Sequence, residues 1–496
     1  MIAVLLIVVP LLAGLVAFFI KQEKSVKTWA FLASLATLVV AMLGLMAAKT
    51  DASLEAHYPW MSSLNSSFSV KLDALGKVVC ALNAIAFPLI FLGTWRNSYS
   101  NAHQFFGLML LMQAGMMGVF LSMDALLFYF FWELALIPAY FLASQWGGPR
   151  RIPVTFKFFI YTFVGSLLML VGLLYVYFHM GAVHSFDISR FYAAGLKGSE
   201  QTWIFWLLFI AFAIKMPIFP FHTWQPDAYE QAPAATTMAL SGVMVKMGVF
   251  ALLRWLIPVL PDASFIWGDS ISTLAVIGMI YASLIAIRQD DLKRLVAYSS
   301  IAHIGLMCVT IFSVNATGMQ GVMIQIFNHG INIIGLWIAV ELIERKLGTR
   351  KMSELGGLAQ KAPGLAIFFV IIALANIALP LTNAFVGEFL MFTGIFTSVA
   401  TKFNILFTVF AGLCIILAAV YTLNMIRKVF YGEATERVLQ ASDISLNEKL
   451  ALALIVVMII GLGVYSQPFL EMTKEASGNI TNSILQRQEI IPFLKK

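Results

Sequence analysis

Long apolar runs, separated by short polar connections, recur along the whole chain. A helix that crosses a bilayer needs about 20 mostly apolar residues. Runs of that length predict fourteen transmembrane helices, at 2–20, 28–48, 76–95, 104–122, 124–146, 155–180, 202–222, 233–257, 267–288, 293–314, 317–343, 364–397, 403–428 and 447–466. The expected fold is an all-α integral membrane protein in four regions: N-terminal helices over 1–103, a five-helix unit over 104–257, a second over 267–428, and a C-terminal helix and tail over 447–496. The opening run has no basic stretch before it and no clear cleavage site, while Lys21, Lys24 and Lys27 follow it. It reads as a retained helix and not a signal peptide. The longest connections, 49–75, 181–201 and the tail after 466, are below the roughly 40 residues at which even stapled folds become plausible.

Composition supports this reading. Hydrophobic residues make up 60% of the chain and charged ones 11%, against about 45–50% and 25% in soluble domains, so a soluble globular protein is excluded. The net charge of +7 suits topology better than nucleic acid, because the basic residues sit in loops. Lys21, Lys24, Lys27, Arg150, Arg151, Arg288, Lys293, Arg294, Arg345, Lys346, Arg350 and Lys351 all border connections after odd-numbered helices. The positive-inside rule then places both termini on the outer, periplasmic face. Cys80, Cys308 and Cys414 lie inside apolar runs with no metal or disulfide spacing. No GxGxxG, GxxxxGK[ST], CxxC or HExxH occurs, so no nucleotide, flavin or iron–sulfur site is expected on this chain.

Four charges fall inside predicted spans: Glu133 in FYFFWELALIPAYFL, Lys215 in FAIKMPIFPFHTW, Lys246 in SGVMVKMGVFALLRW and Glu388 in NAFVGEFLMF. Each costs about 2.5–3.5 kcal/mol at the bilayer centre on insertion scales, so each requires a reason, either an interhelical ion pair or an ion pathway. Pro217 and Pro220 follow Lys215, and Pro380 precedes Glu388. Proline removes a backbone donor, and broken helices at mid-membrane line ion sites in transporters; an ordinary kink is the plainer alternative. At about 7 Å and an effective dielectric of about 20, Glu133 and Lys215 would interact by roughly 2.4 kcal/mol, enough for a movable carboxylate to load and unload a lysine proton. His303 and His329 extend the series, since neutral imidazole accepts at one nitrogen and donates at the other, although a buried histidine also serves as a structural hydrogen-bonder. The connection FHTWQPDAYEQAP offers His222, Asp227 and Glu230, which match no metal signature and read as helix capping or a solvated acidic mouth. The stretches from Glu133 to Lys215 and from His303 to Glu388 are of similar length and each ends in a proline-broken helix. Five-helix units over helices 4–8 and 9–13 would thus face opposite ways across the membrane.

Those residues resemble the antiporter-like membrane subunits of respiratory complex I, related to subunits of multi-chain sodium/proton antiporters. The stretches FYFFWELALIPAYFL, KMPIFPFHTWQPDAYEQAP, RLVAYSSIAHIG and NAFVGEFL carry the likeness, clearest over 70–430. It implies that Glu133 pairs with Lys215 on a broken seventh helix, that Lys246, His303 and His329 continue a hydrophilic axis, and that Glu388 on a broken twelfth helix serves the outlet. Glutamate at 388, where other members typically carry lysine, resembles the M, or chain 4, subfamily. Gln225 and Tyr229 depart from the usual leucine and frequent histidine. The implied role is proton translocation in an NADH:quinone oxidoreductase, with no cofactor on this chain and with flavin, iron–sulfur clusters and quinone on partner subunits in the same membrane. The competing roles are a subunit of a gradient-driven sodium/proton antiporter and a passive structural subunit.

Overall fold

The computed structural model describes residues 1–48, 50–181 and 183–486. The end of the C-terminal tail, and with it the expected side of the C-terminus, lies outside the described residues. The chain opens with helices α1 (Ile2–Ala17) and α2 (Glu23–Met46), then an antiparallel hairpin of β1 (Glu55–Met61) and β2 (Ser66–Lys71). Helices α3 (Ala74–Gly93), α4 (Ala102–Leu121), α5 (Ala125–Trp146) and α6 (Arg151–His179) follow. Next come α7 (Gly198–Lys215), α8 (Trp224–Gln231) and α9 (Ala234–Val259), then α10 (Pro261–Arg288), α11 (Leu292–Phe312) and α12 (Ala316–Leu347). The remaining long elements are α13 (Pro363–Asn376), α14 (Asn383–Phe396), α15 (Asn404–Phe430), α16 (Leu446–Val464) and α17 (Gln467–Leu485).

Among the described residues, eleven helices are long and apolar enough to cross a membrane unaided. The other predicted spans are a shorter helix, α1, and the two proline-bearing segments, which divide. The run predicted at 202–222 stops at Lys215 and resumes as α8, and the run predicted at 364–397 splits into α13 and α14. Both upstream halves close alike, with a backbone N–H reaching five residues back: Ile218 to the Ala213 carbonyl at 2.9 Å, and Leu379 to the Leu374 carbonyl at 3.2 Å. At the first break Pro217 cannot donate to the Ala213 carbonyl, and at the second the Ala378 amide turns instead to the Ala375 carbonyl at 3.0 Å, so each longer bond takes up a carbonyl left free.

The hairpin and α17 are elements that the hydrophobic pattern did not predict. Most of β1 is exposed, and the hairpin is clamped by Asp124, whose carboxylate caps α5 at the Leu126 and Leu127 amides and also accepts from Ser66 Oγ (2.9 Å) and the Ser67 amide (3.0 Å). Helix α17 is too polar for a span. It lays an apolar side on the bundle, with the Phe469 ring tilted against Phe327 at 5.3 Å between centroids and Ile484 buried.

The centre of the bundle is α9 and α12, both almost wholly enclosed by protein. With lipid tails as apolar as leucine, close packing needs small residues at crossings. A Cβ on Gly248 would stand 2.7 Å from the Phe212 carbonyl oxygen and 2.9 Å from the Met216 amide, so α9 meets the end of α7 backbone to backbone. A Cβ on Gly330 would stand 2.9 Å from the Gly242 carbonyl oxygen, which brings α12 equally close to α9. These two contacts put Lys215, Lys246 and His329 on three touching helices.

Candidate functional site

Lys215 closes α7 at the break. Its Nζ is buried without a hydrogen-bond partner and lies 5.3 Å from the Trp132 ring centroid, over the ring face. That contact stabilises an ammonium by about 0.5–2 kcal/mol. Trp224 on α8 donates its indole N–H to the Ile214 carbonyl at 2.9 Å, which ties the two halves of the break together. Glu133, next to Trp132 on α5, interacts electrostatically with Lys215 without a direct ion pair. Glu133 is only partly buried, and it reaches the lateral surface of the chain where Lys215 does not.

Lys246 follows a π-helical turn, Leu240–Met244, with Val245 between them. Such a turn misses one regular backbone bond, and the Lys246 Nζ uses the result, donating to the Ser241 carbonyl at 2.6 Å. Lys246 is fully buried and acts electrostatically on His329, which is buried with both ring nitrogens unpartnered. The His329 and His303 ring centroids are 5.5 Å apart. His303 Nδ1 then stands 3.2 Å from Glu388 Oε1, which also accepts from Gln325 Nε2 at 3.4 Å. Beside His303 and Glu388 a cavity of about 20 Å³, bordered by Cys414 and Tyr421, has room for one water.

The break between α13 and α14 is held by amides. Asn328 donates to the Asn383 carbonyl at 2.7 Å, and the Asn332 and Asn383 side chains bond reciprocally at 3.0 and 3.1 Å. Ala378 and Leu381 within it take positive φ values of 57° and 72°, costly for side-chain-bearing residues. The amides from α12 secure that conformation.

On the basic-loop side, Asp227 and Glu230 of α8 are not a free acidic mouth. Asp227 accepts from Lys157 (2.9 Å) and Arg294 (3.1 Å), and Glu230 from Arg294 (2.9 Å), Arg350 (2.8 Å) and Arg150 (3.4 Å). Burial raises both carboxyls, but these cationic partners outweigh it and hold both below the usual carboxylate range. Folded values lowered in this way contribute stability above the unfolded pKa of about 4 and lose it as pH falls through the folded values. Thermal unfolding in detergent is expected to show that loss in acid. Replacing Arg294 by alanine should cost about 1 kcal/mol at pH 7, because the network is partly exposed, and should flatten the acid dependence. An acid limb unchanged in Arg294→Ala would show that the network does not set it.

Residues 122–415 match the transmembrane family described as NADH:quinone oxidoreductase/Mrp antiporter. The chain belongs to this family. It is a proton-translocating, antiporter-like membrane subunit and a multi-pass integral membrane protein of a respiratory complex. Among its relatives, NADH-quinone oxidoreductase subunit M of Rickettsia bellii is 36% identical over 84% of this chain and 83% of its own length. F(420)H(2) dehydrogenase subunit M of Methanosarcina mazei is 34% identical over 95% of this chain and 96% of its own. Among solved structures, a chain of respiratory complex I from Thermus thermophilus superposes with a TM-score of 0.90 at 26% identity, covering 98% of this chain and all of its own. A chain of the Mrp complex from Dietzia shares the fold, with a TM-score of 0.86 at 19% identity over 99% of each.

Within this family fold, the structure adds partners that single charges did not reveal. Gln325, Asn328, His329 and Asn332 follow an i, i+3, i+4, i+7 spacing and so share one face of α12. That spacing was a readable signal for the amides around Glu388. Arg254, at the end of a predicted span, is a further buried charge, bonded at 2.6 Å to both carboxylate oxygens of Asp73. Gln225 and Tyr229, the two departures from the family pattern, are both fully buried in α8, with Tyr229 edge-on to Trp337 at 5.8 Å. Among the described residues, no three His, Cys, Asp or Glu side chains converge as a metal site.

Proposed function

We propose that this chain is the M-type subunit of a proton-pumping NADH:quinone oxidoreductase and moves protons along Glu133, Lys215, Lys246, His329, His303 and Glu388. The observation that carries the reading is the placement of these residues. Two broken helices each end or begin beside an ionisable side chain, and the residues between them occupy touching helices, closing on the 3.2 Å contact of His303 with Glu388. Glu133 modulates the charge on Lys215 from the lateral surface, Lys246 and the histidines relay, and Glu388 exchanges with the outer side.

A proton moved against 100 mV costs about 2.3 kcal/mol. This chain supplies the route, and partner membrane subunits, including other antiporter-like ones, transmit the driving force from redox centres. Flavin, iron–sulfur clusters and quinone sit on those partners. The site is the inner membrane of a bacterial-type cell, with both termini periplasmic and the Arg294–Arg350 network on the cytoplasmic face. The regions 104–257 and 267–428 act as two inverted units around the axis. The like closure of their two breaks supports that arrangement.

The test is to tag the chain in its host, extract it in mild detergent and look for an NADH-reducible flavin and iron–sulfur signal in the assembly. Co-purification of that signal is the expected result. Recovery only with other small membrane chains that lack redox centres would overturn it in favour of a gradient-driven antiporter, whose sodium/proton exchange proceeds without NADH.

A further inference from the structure

Asn376 ends α13 at the lip of the second break, opposite His303 from Glu388. Its side-chain nitrogen lies 3.1 Å from Ser299 Oγ and 3.4 Å from His303 Nε2, and the Tyr421 hydroxyl of α15 donates to the same Ser299 Oγ at 3.1 Å. All four side chains are buried. An amide nitrogen is a donor only, so the imidazole nitrogen facing it must present its lone pair. The proton of a neutral His303 is then on Nδ1, the nitrogen that faces Glu388.

We infer that Asn376, anchored by Ser299 and Tyr421, is a positioning residue that fixes the tautomer of His303, so that the ring aims its proton at Glu388. Each side of the ring thereby has one task. Nε2 accepts and Nδ1 delivers, as a one-way transfer requires. A proton arriving at Nε2 must turn the amide nitrogen away, and the same rotation presents the amide oxygen to the imidazolium. Once Nδ1 has discharged, the remaining proton is on Nε2 and the amide oxygen stays turned to it; when that proton has moved on to Nδ1 and the starting tautomer is restored, Ser299 and Tyr421 hold the amide as a donor again. The groups facing His303 across this pocket are Glu388 from α14, His329 from α12, and Tyr421 and Cys414 from α15. None of them besides Asn376 is within bonding distance of Nε2 among the described residues.

The inference rests on the proposed proton route through His303 and Glu388, and its test separates the two. Intact complex carrying Asn376→Asp is reconstituted in vesicles, and protons moved per NADH oxidised are measured against pH, beside Glu388→Gln. Aspartate keeps the size of the amide but accepts from Nε2, which reverses the tautomer and stabilises the imidazolium. An opposite charge at such range shifts a titration by about one to three pH units, so the pumping ratio of Asn376→Asp should fall severalfold at neutral pH and recover at a pH higher by about that amount. Asn376→Leu should lower the ratio at every pH. A purely structural role predicts that Asn376→Asp keeps the native profile. That outcome, with Glu388→Gln inactive in pumping, overturns the tautomer role alone. If Glu388→Gln pumps normally, the route itself is wrong and the inference falls with it. Should Asn376→Asp fail to assemble, Tyr421→Phe and Ser299→Ala, which preserve packing, are expected to lower the ratio, and a native ratio in both overturns the inference.

Discussion

Replacing Lys215 by alanine is expected to cut proton movement by intact vesicles at least about tenfold, equivalent to about 1.4 kcal/mol or more on the transfer step, while the complex still assembles. The lysine is the ionisable side chain that closes α7, where the proposed route meets the first break. Its Nζ has no hydrogen bond to lose and rests on the Trp132 ring, so its removal leaves no donor or acceptor of the protein newly unpaired. Arginine at the same position should fail as well, because a guanidinium keeps its proton at any working pH. Glu133→Gln should give a smaller loss, since it removes the modulating charge and leaves the carrier. Dye-quench assays on vesicles, normalised to the amount of assembled complex, check all three. Native pumping in Lys215→Ala would remove this residue from the route.

The second large effect is expected at Glu388. Glutamine is nearly isosteric and can still meet Gln325, so Glu388→Gln should fold and assemble, yet it cannot take a proton from His303 Nδ1. Pumping should fall as far as in the lysine variant. Alanine should do this and also weaken the fold. It leaves His303 Nδ1 and Gln325 Nε2 buried without an acceptor, at about 1–3 kcal/mol for each unsatisfied group. Glu388→Ala should therefore unfold at a lower temperature than Glu388→Gln in the same detergent. Equal stability of the two variants would mean that the hydrogen bonds at Oε1 contribute little to the fold. Equal pumping by Glu388→Gln and the native complex would move the outlet elsewhere.

Much of the axis was legible because the bilayer makes charges expensive. A glutamate or lysine within an apolar run stands out against its surroundings, and Glu133, Lys215, Lys246 and Glu388 could be picked from the chain without coordinates. Amides carry no such contrast one at a time. Gln325, Asn328, Asn332 and Asn376 are each ordinary polar residues in helices, and only the helical spacing of the first three with His329 marks a face. Ser299 and Tyr421 had no signal at all, since their relevance depends on α11, α13 and α15 meeting at one point. The acidic pair Asp227 and Glu230 was visible, but its role was not: the four cations that bind it come from Arg150, Lys157, Arg294 and Arg350 on distant stretches of chain.

Sequence by itself determined that this is a membrane protein of many spans, where prolines interrupt two of those spans, and which charged side chains stand inside them, because span length, proline geometry and the cost of burying charge are local properties. The tertiary structure decided which of those side chains meet. His303 approaches Glu388 closely enough to bond, whereas Glu133 stops short of Lys215, and Lys246 turns to a carbonyl exposed by a π-helical turn. Those outcomes depend on backbone contacts at Gly248 and Gly330, where the absence of a side chain lets helices distant in sequence touch, and the distance between two helices is not encoded in either one alone.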